Sequence, residues 1–341
     1  MNRPKPLPPS PEDCCGQGCN PCVNDIYDAE LRLWETETAY EPYPKLNESR
    51  CEVNKSVFTS LNPDSYTAFK IKEILPVTDN TYIYRFELPL PNSCLLTNVV
   101  EIGQHLILRL VLNESKEEPN NKSTTIPGSF TRQYTVLSSP LTKGHFDIMI
   151  KLYENGLASR IIRRWTVGDF AEFRGPFGEF ANKFMVPSTN QKLHLHDYCD
   201  VVMIAAGTGI APMLQVIKFI TDDEECDIRI HLLYSCQSTS QILLKNELKN
   251  FAGFWNFKLT YFITREENHG QSLVLKQSFH YAKLLKERIG KTFLENYIIS
   301  KGLDLRSSKC LFLVCGTKSF EIEILDILKI LAVPLPCTFK F

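Results

Sequence analysis

The feature that most constrains this chain is a change of hydrophobic period near Asp200. Upstream of it, AFKIKEILPV, TYIYRFELPL, QHLILRLVL, RQYTVLSS, HFDIMIKLY and DFAEFRGPF each carry alternating or apolar strand character, with turn residues between them. Six short strands in succession predict a small antiparallel β-barrel. Between the last two, GLASRIIRRW has the spacing of one short helix, and Asn113 to Ser129 forms a polar loop. Downstream, DVVMIAAGTGIAPMLQVIKFI reads as a buried strand, a glycine turn and an amphipathic helix. The runs IRIHLLYSC, FKLTYFIT and CLFLVCG follow, with helical spacing expected in YAKLLKERIG and FLENYI. Strand–helix alternation predicts a parallel sheet covered on both faces, so the fold class is a two-domain barrel plus α/β architecture.

The length of 341 residues suits two cores and a tail. The expected division is 1–65, 66–185 and 195–341. The first part is irregular and Cys-rich, with a brief helix in NDIYDAELRLWE. Apolar residues make up 43% and charged residues 23%, which is enough material for burial, and the net charge of -1 argues against a nucleic-acid partner. No stretch approaches the roughly 20 apolar residues that span a bilayer, and MNRPKPLPPSPEDCC has neither a signal core nor Gly after Met. A soluble, intracellular, cytoplasmic monomer is expected. The twelve cysteines are then read as reduced thiols, and the triplets at Asn47, Asn113 and Asn121 as chance glycosylation matches. Four thiols at Cys14, Cys15, Cys19 and Cys22 invite a metal or redox reading, but adjacent cysteines rarely share one ion and the spacing is no standard knuckle. No metal ligand is assigned.

Two motifs carry the chemistry. In RQYTVLSS, strand alternation puts Arg132, Tyr134 and Val136 on one side, offering a guanidinium for phosphate and an aromatic wall for a flavin; an exposed Arg and a half-buried Tyr are the plain structural alternative. Lys151 and Tyr153 share a face of the next strand, and Gly156 to Ser159 begin a helix whose amides suit an anion or simply cap it. Gly207-Thr208-Gly209 ends the first parallel strand, where ligands bind in such sheets, although Pro212 stands where a dinucleotide fingerprint has its third Gly. Cys315 ends another strand and suits either a nicotinamide wall or a structural thiol.

Taken in order, these residues resemble the NADH-cytochrome b5 reductases, within the ferredoxin reductase-like flavoproteins, from about Tyr66 to Phe341. The RxYTxxS motif appears at Arg132, Tyr134, Thr135 and Ser138, the Lys–Tyr strand at Lys151 and Tyr153, and the GxxS turn at Gly156 to Ser159. EFRGPxG appears at Glu172 to Gly178, the GTGITPM-type segment at Gly207 to Met213, and the terminal aromatic pair at Phe339 and Phe341. The N-terminal stretch resembles the oxidoreductase-like segment that precedes the reductase in similar proteins.

The resemblance implies FAD on the barrel, NADH on the sheet, hydride passage to the flavin and single-electron delivery to cytochrome b5 or a similar acidic haem protein. It assigns cofactor binding to Arg132, Tyr134, Thr135, Val136, Ile150, Lys151, Tyr153, Gly156, Ala158 and Ser159, and to Gly207, Thr208, Gly209, Pro212, Met213, Cys315, Gly316, Phe320 and Phe341. Thr135 and Cys315 are its catalytic candidates. Ala206, Ala211 and the CGTKSF stretch depart from the family pattern, Gln241 replaces an acidic residue that disfavours NADPH, and the link before Gly156 is short. These departures leave a second reading open, a catalytically weakened flavoprotein that serves as a binding or assembly partner.

Overall fold

In the computed structural model, described over residues 4–9, 22–39, 61–88, 100–112, 128–139, 141–185, 194–265 and 279–341, the chain forms two sheets that meet along one cleft. Cys14, Cys15 and Cys19, the three glycosylation triplets and most of the polar loop lie outside the described residues. None of the described helices is long and apolar enough to cross a membrane.

The first sheet contains β1 (Lys5–Pro6), β2 (Thr67–Thr78), β3 (Thr81–Glu87), β4 (His105–Val111), β5 (Gly128–Thr135), β6 (His145–Lys151) and β7 (Phe170–Phe177). Strands β5, β4, β7, β2, β3 and β6 pair antiparallel in that order. A bridge between Val136 and Ile148, with the Leu137 N–H donating to the Asp147 carbonyl at 2.7 Å, joins the two ends into a barrel. Closure there covers one end of the edges an open sheet would expose, and the Gly128–Ser129 end of β5 stays free for β1. Alternate side chains fill the interior, where Phe86 meets Phe173 at 4.9 Å and Phe69 meets Phe146 at 5.1 Å between ring centres, both edge-to-face.

The second sheet has the order β11 (Lys283–Leu285), β10 (Phe257–Ile263), β9 (Arg229–Cys236), β8 (Asp200–Ala206), β12 (Cys310–Cys315) and β13 (Thr338–Lys340), all parallel. Period-two alternation sends Val201, Met203 and Ala205 into one core and Val202 and Ile204 into the other. Helix Ile210–Thr221 covers the first face, and helices Lys291–Lys301 and Lys318–Ile330 cover the second.

Two local expectations change. YAKLLKERIG has helical spacing, yet Lys283–Leu285 is a short strand that pairs with Thr260 to Phe262. The open edge of β10 offers unpaired backbone groups, and satisfying them outweighs a weak local preference. The N-terminal part is also less irregular than expected, because Lys5–Pro6 adds a parallel strand beside Gly128 and Ser129.

The domains are joined by one buried amide and an aromatic seam. The Gln215 side-chain carbonyl accepts from the Gly103 N–H at 2.7 Å, while its NH2 donates to the Val136 carbonyl. Phe180 packs on Phe339 and Phe341 at 5.3 and 5.1 Å between ring centres. Gly103 has φ of +76°, and a Cβ there would stand 2.7 Å from Phe180 Cβ, so only glycine lets the chain pass this seam. Gln215→Leu leaves both backbone groups buried without partners. We expect a loss of roughly 2–4 kcal/mol in urea unfolding, since each unmet group costs about 1–3 kcal/mol.

Candidate cofactor cleft

The carboxyl ends of parallel strands leave backbone groups and loop side chains free to face a ligand, and here residues of that edge line cavities together with residues of strand β5. Two adjoining cavities result, of about 1050 and 850 Å³. Arg132, Lys151, Tyr153, Thr208, Gly316, Glu321 and Lys340 line both.

On the barrel side, Tyr134, Thr135, Ile150, Gly156, Ala158 and Ser159 line the smaller cavity. Burial pushes the Tyr134 hydroxyl up to about 12, so it stays protonated. The Arg132 guanidinium is exposed over the Phe130 ring at 5.0 Å and donates to the Thr131 carbonyl at 2.7 Å. Ser159 lines this cavity, and its Oγ accepts from the Tyr153 N–H at 2.8 Å, which folds the turn and leaves the hydroxyl proton to donate. A Cβ on Gly156 would stand 2.8 Å from that oxygen, which explains the glycine.

On the sheet side, Gly207, Thr208, Gly209, Pro212, Cys315, Gly316 and Phe341 line the two cavities. Gly207 has φ of +54° and open space where a Cβ would point, whereas Gly209 lies directly against the Cys315 carbonyl. One glycine admits a ligand; the other admits the neighbouring strand. Desolvation pushes the Cys315 thiol above its usual range, which makes it a neutral wall rather than a nucleophile.

Three expected cofactor residues face elsewhere. Val136 and Met213 are fully buried in the barrel core and the sheet core, the first because its strand bends inward to close the barrel, the second because it sits on the covered face of its helix. Phe320 packs beside Gly316 and onto the second sheet core, and neither cavity includes its ring.

Other residues were not signalled by the motifs. His105 pairs with Thr135 across the barrel strands and lines the smaller cavity, and its Nε2 is buried without a partner. Burial lowers its pKa to about 4, which keeps the ring neutral near pH 7. The Glu321 carboxylate accepts from the Gly316 N–H at 3.0 Å, and burial raises it above its usual range. Across the cleft, Lys151 Nζ donates to the Gln241 side-chain oxygen at 3.3 Å, and burial lowers the lysine. Outside the cleft, His196, Asp223 and Cys226 bring three ligand atoms within 4.8 Å of one another, and none of them lines either cavity.

An unpartnered ring nitrogen beside Thr135, an open glycine at Gly207 and the cations Arg132, Lys151 and Lys340 suit a flavin and a nicotinamide dinucleotide lying together. Because neutral His105 must gain a proton on unfolding below pH 6.5, its contribution to stability is present above that pH and is lost as pH falls toward 4. Between pH 7 and pH 5 this amounts to roughly 2 kcal/mol. His105→Gln should flatten the corresponding part of a stability–pH profile measured by urea unfolding.

Comparison with known proteins agrees with this layout. The oxidoreductase FAD-binding domain family matches residues 68–182, the oxidoreductase NAD-binding domain family residues 203–324, and the N-terminal family of oxidoreductase-like proteins residues 2–41. Proteins named NADH-cytochrome b5 reductase-like from Mus musculus and Homo sapiens are each 33% identical, over 93% and 94% of this chain and 89% of their own lengths. The cytochrome b5 reductase domain of Ulva prolifera nitrate reductase shares the fold with a TM-score of 0.64 at 23% identity, covering 82% of this chain and 98% of that domain. A flavin-binding barrel, a nicotinamide-binding sheet and these relatives together place the chain in the NADH-cytochrome b5 reductase family of FAD- and NAD-binding oxidoreductases.

Proposed function

We propose that this chain oxidises NADH through bound FAD and passes electrons singly to cytochrome b5 or a similar acidic haem protein. The observation that carries the reading is that Thr135 at the end of β5 and the Thr208–Gly209 turn with Cys315 line one cavity, so two ring systems held by the two domains would meet face to face. FAD supplies the ability to take an electron pair at once and to release it one electron at a time.

The protein's own part is positioning. Arg132 and Lys151 bring positive charge to the place where the phosphates of a dinucleotide would lie. Tyr134 and Ile150 give an apolar wall, while Thr135 and the neutral His105 offer hydrogen-bonding groups to the polar rim of a flavin. Thr208 and Cys315 narrow the opposite side with small neutral groups. Gly209 keeps their spacing, because the backbone of Cys315 lies against it. Phe180, Phe339 and Phe341 exclude water from the joint between the domains. Such pre-set placement lowers the barrier without a general acid or nucleophile.

The departures at Ala206, Ala211 and Cys315 to Phe320 leave the cavity formed and its glycines in place, and the weakened-flavoprotein alternative is not favoured. Arg132, Lys143, Arg163 and Arg164 are exposed and offer cations to an acidic partner.

The purified protein should carry flavin absorbance that NADH bleaches in the absence of oxygen; a protein that stays colourless after reconstitution with FAD contradicts the reading. Arg132→Ala should weaken FAD binding tenfold or more, as loss of a charge-assisted hydrogen bond worth about 1.5–3 kcal/mol implies, measured by flavin fluorescence. Cytochrome b5 reduction should slow as ionic strength rises, through screening of the exposed cations.

A further inference from the structure

The N-terminal segment is held against the cofactor cleft by two independent anchors. At the first, Lys5–Pro6 extends the barrel sheet beside Gly128 and Ser129, and the Leu7 N–H donates to the Ser129 carbonyl at 2.9 Å. A Cβ on Gly128 would stand 2.6 Å from the Leu7 side chain, so this glycine makes room for the segment. The second anchor is helix Val23–Ala39. Its Glu30 accepts from Arg174 Nε at 2.7 Å and from the Tyr66 hydroxyl at 2.6 Å, with both ionic side chains about 95% buried. A buried pair of this kind tolerates little movement, because separating the partners leaves a charge without compensation.

These anchors place Pro6, Pro9, Val23 and Tyr27 in the wall of the larger cavity together with Phe130 and Arg132. Along β5, Thr135 and Ser129 lie on opposite sides of Arg132, each three residues away, or about 10 Å at roughly 3.3 Å per residue. Thr135 belongs to the smaller cavity only, and Ser129 and Phe130 to the larger only. A flavin dinucleotide with its ring near Thr135 and its pyrophosphate at Arg132 therefore directs its adenosine toward Phe130 and the N-terminal segment. Among the described residues, the barrel offers that end only a short connection. Only five residues, 152 to 156, link β6 to helix Leu157–Ile162, and Tyr153 among them is 56% exposed.

From this juxtaposition we propose that the N-terminal segment is part of the flavin site, with Tyr27, Val23 and the Pro6–Pro9 stretch forming the wall that holds the adenosine half of FAD against Phe130. The proposal rests on the reading of the cleft as an FAD site. The cavity is shared with the nicotinamide domain, which lines it through Ala206, Gly207, Ser235 and Thr317, so NAD+ binding is the control for the segment's task. An aromatic ring against a base contributes through stacking, and alanine substitution of such a ring removes that contribution.

The test compares FAD with FMN, which lacks the adenosine, on the full-length apoprotein by flavin fluorescence titration. Tyr27→Ala keeps both anchors and should raise the dissociation constant for FAD about tenfold while leaving that for FMN unchanged. Tyr27→Phe should restore FAD binding, because the ring and not the hydroxyl makes the contact. Equal changes for FAD and FMN, or no change for either, would overturn the proposal, as would weakened NAD+ binding with FAD unaffected. A wild-type chain that binds neither flavin fails at the earlier step and removes both readings. A fall in melting temperature with the FAD-to-FMN preference intact shows a purely structural segment and also overturns it.

Discussion

The geometry of this molecule depends on Gln215, a single buried amide that uses both of its ends. Its carbonyl takes the Gly103 N–H and its NH2 reaches the Val136 carbonyl, so helix Ile210–Thr221 is tied to two separate places on the barrel. That helix begins at the Gly207–Gly209 turn, and Val136 directly follows Thr135. The same side chain therefore sets the distance between the two groups that face each other across the cleft. A polar group this deeply buried must keep its partners, which makes the domain arrangement specific in a way that the Phe180–Phe339–Phe341 seam cannot achieve through apolar contact alone.

Within the cleft, charge and neutrality are separated by local burial. Arg132 is exposed and keeps its cation in contact with water, while His105 and Cys315 are desolvated and neutral near pH 7. A pocket with cations at its waist and neutral groups at one end suits molecules with phosphate in the middle and flat rings at the tip. Glu321 adds a carboxylate on the sheet side, held by the Gly316 N–H at the start of the loop that replaces the usual family sequence. Its helix, Lys318–Ile330, is capped by Thr317, whose Oγ1 accepts from the Phe320 N–H at 3.4 Å, so the altered loop is an ordered structure.

Much of this architecture was legible in the chain. The six alternating segments formed the barrel, the apolar runs formed a parallel sheet, and the RQYT and GTG segments came to face one another. Individual side chains were less predictable. Alternation groups Val136 with Arg132 and Tyr134, but the strand turns inward there to pair with Ile148. Met213 and Phe320 sit in motif positions and fill cores instead. Gln215 did leave a trace, as the one amide within APMLQVIKFI, where Lys218 is the only other polar residue. His105 and Glu321 left none, since nothing near them in the chain shows that Thr135 or Gly316 will be their neighbour.

By itself, the sequence determined the order and kind of the elements and the two glycine-dependent turns, because hydrophobic period and backbone freedom are properties of neighbouring residues. Only the tertiary structure decided which groups meet. Gln215 finds its partners 112 and 79 residues away, Glu30 finds Arg174 across 144, and a two-residue strand at Lys5–Pro6 finds Gly128. Contacts at that separation are selected by closure of the barrel and the joint burial of polar groups that must be paired, and no local pattern encodes either.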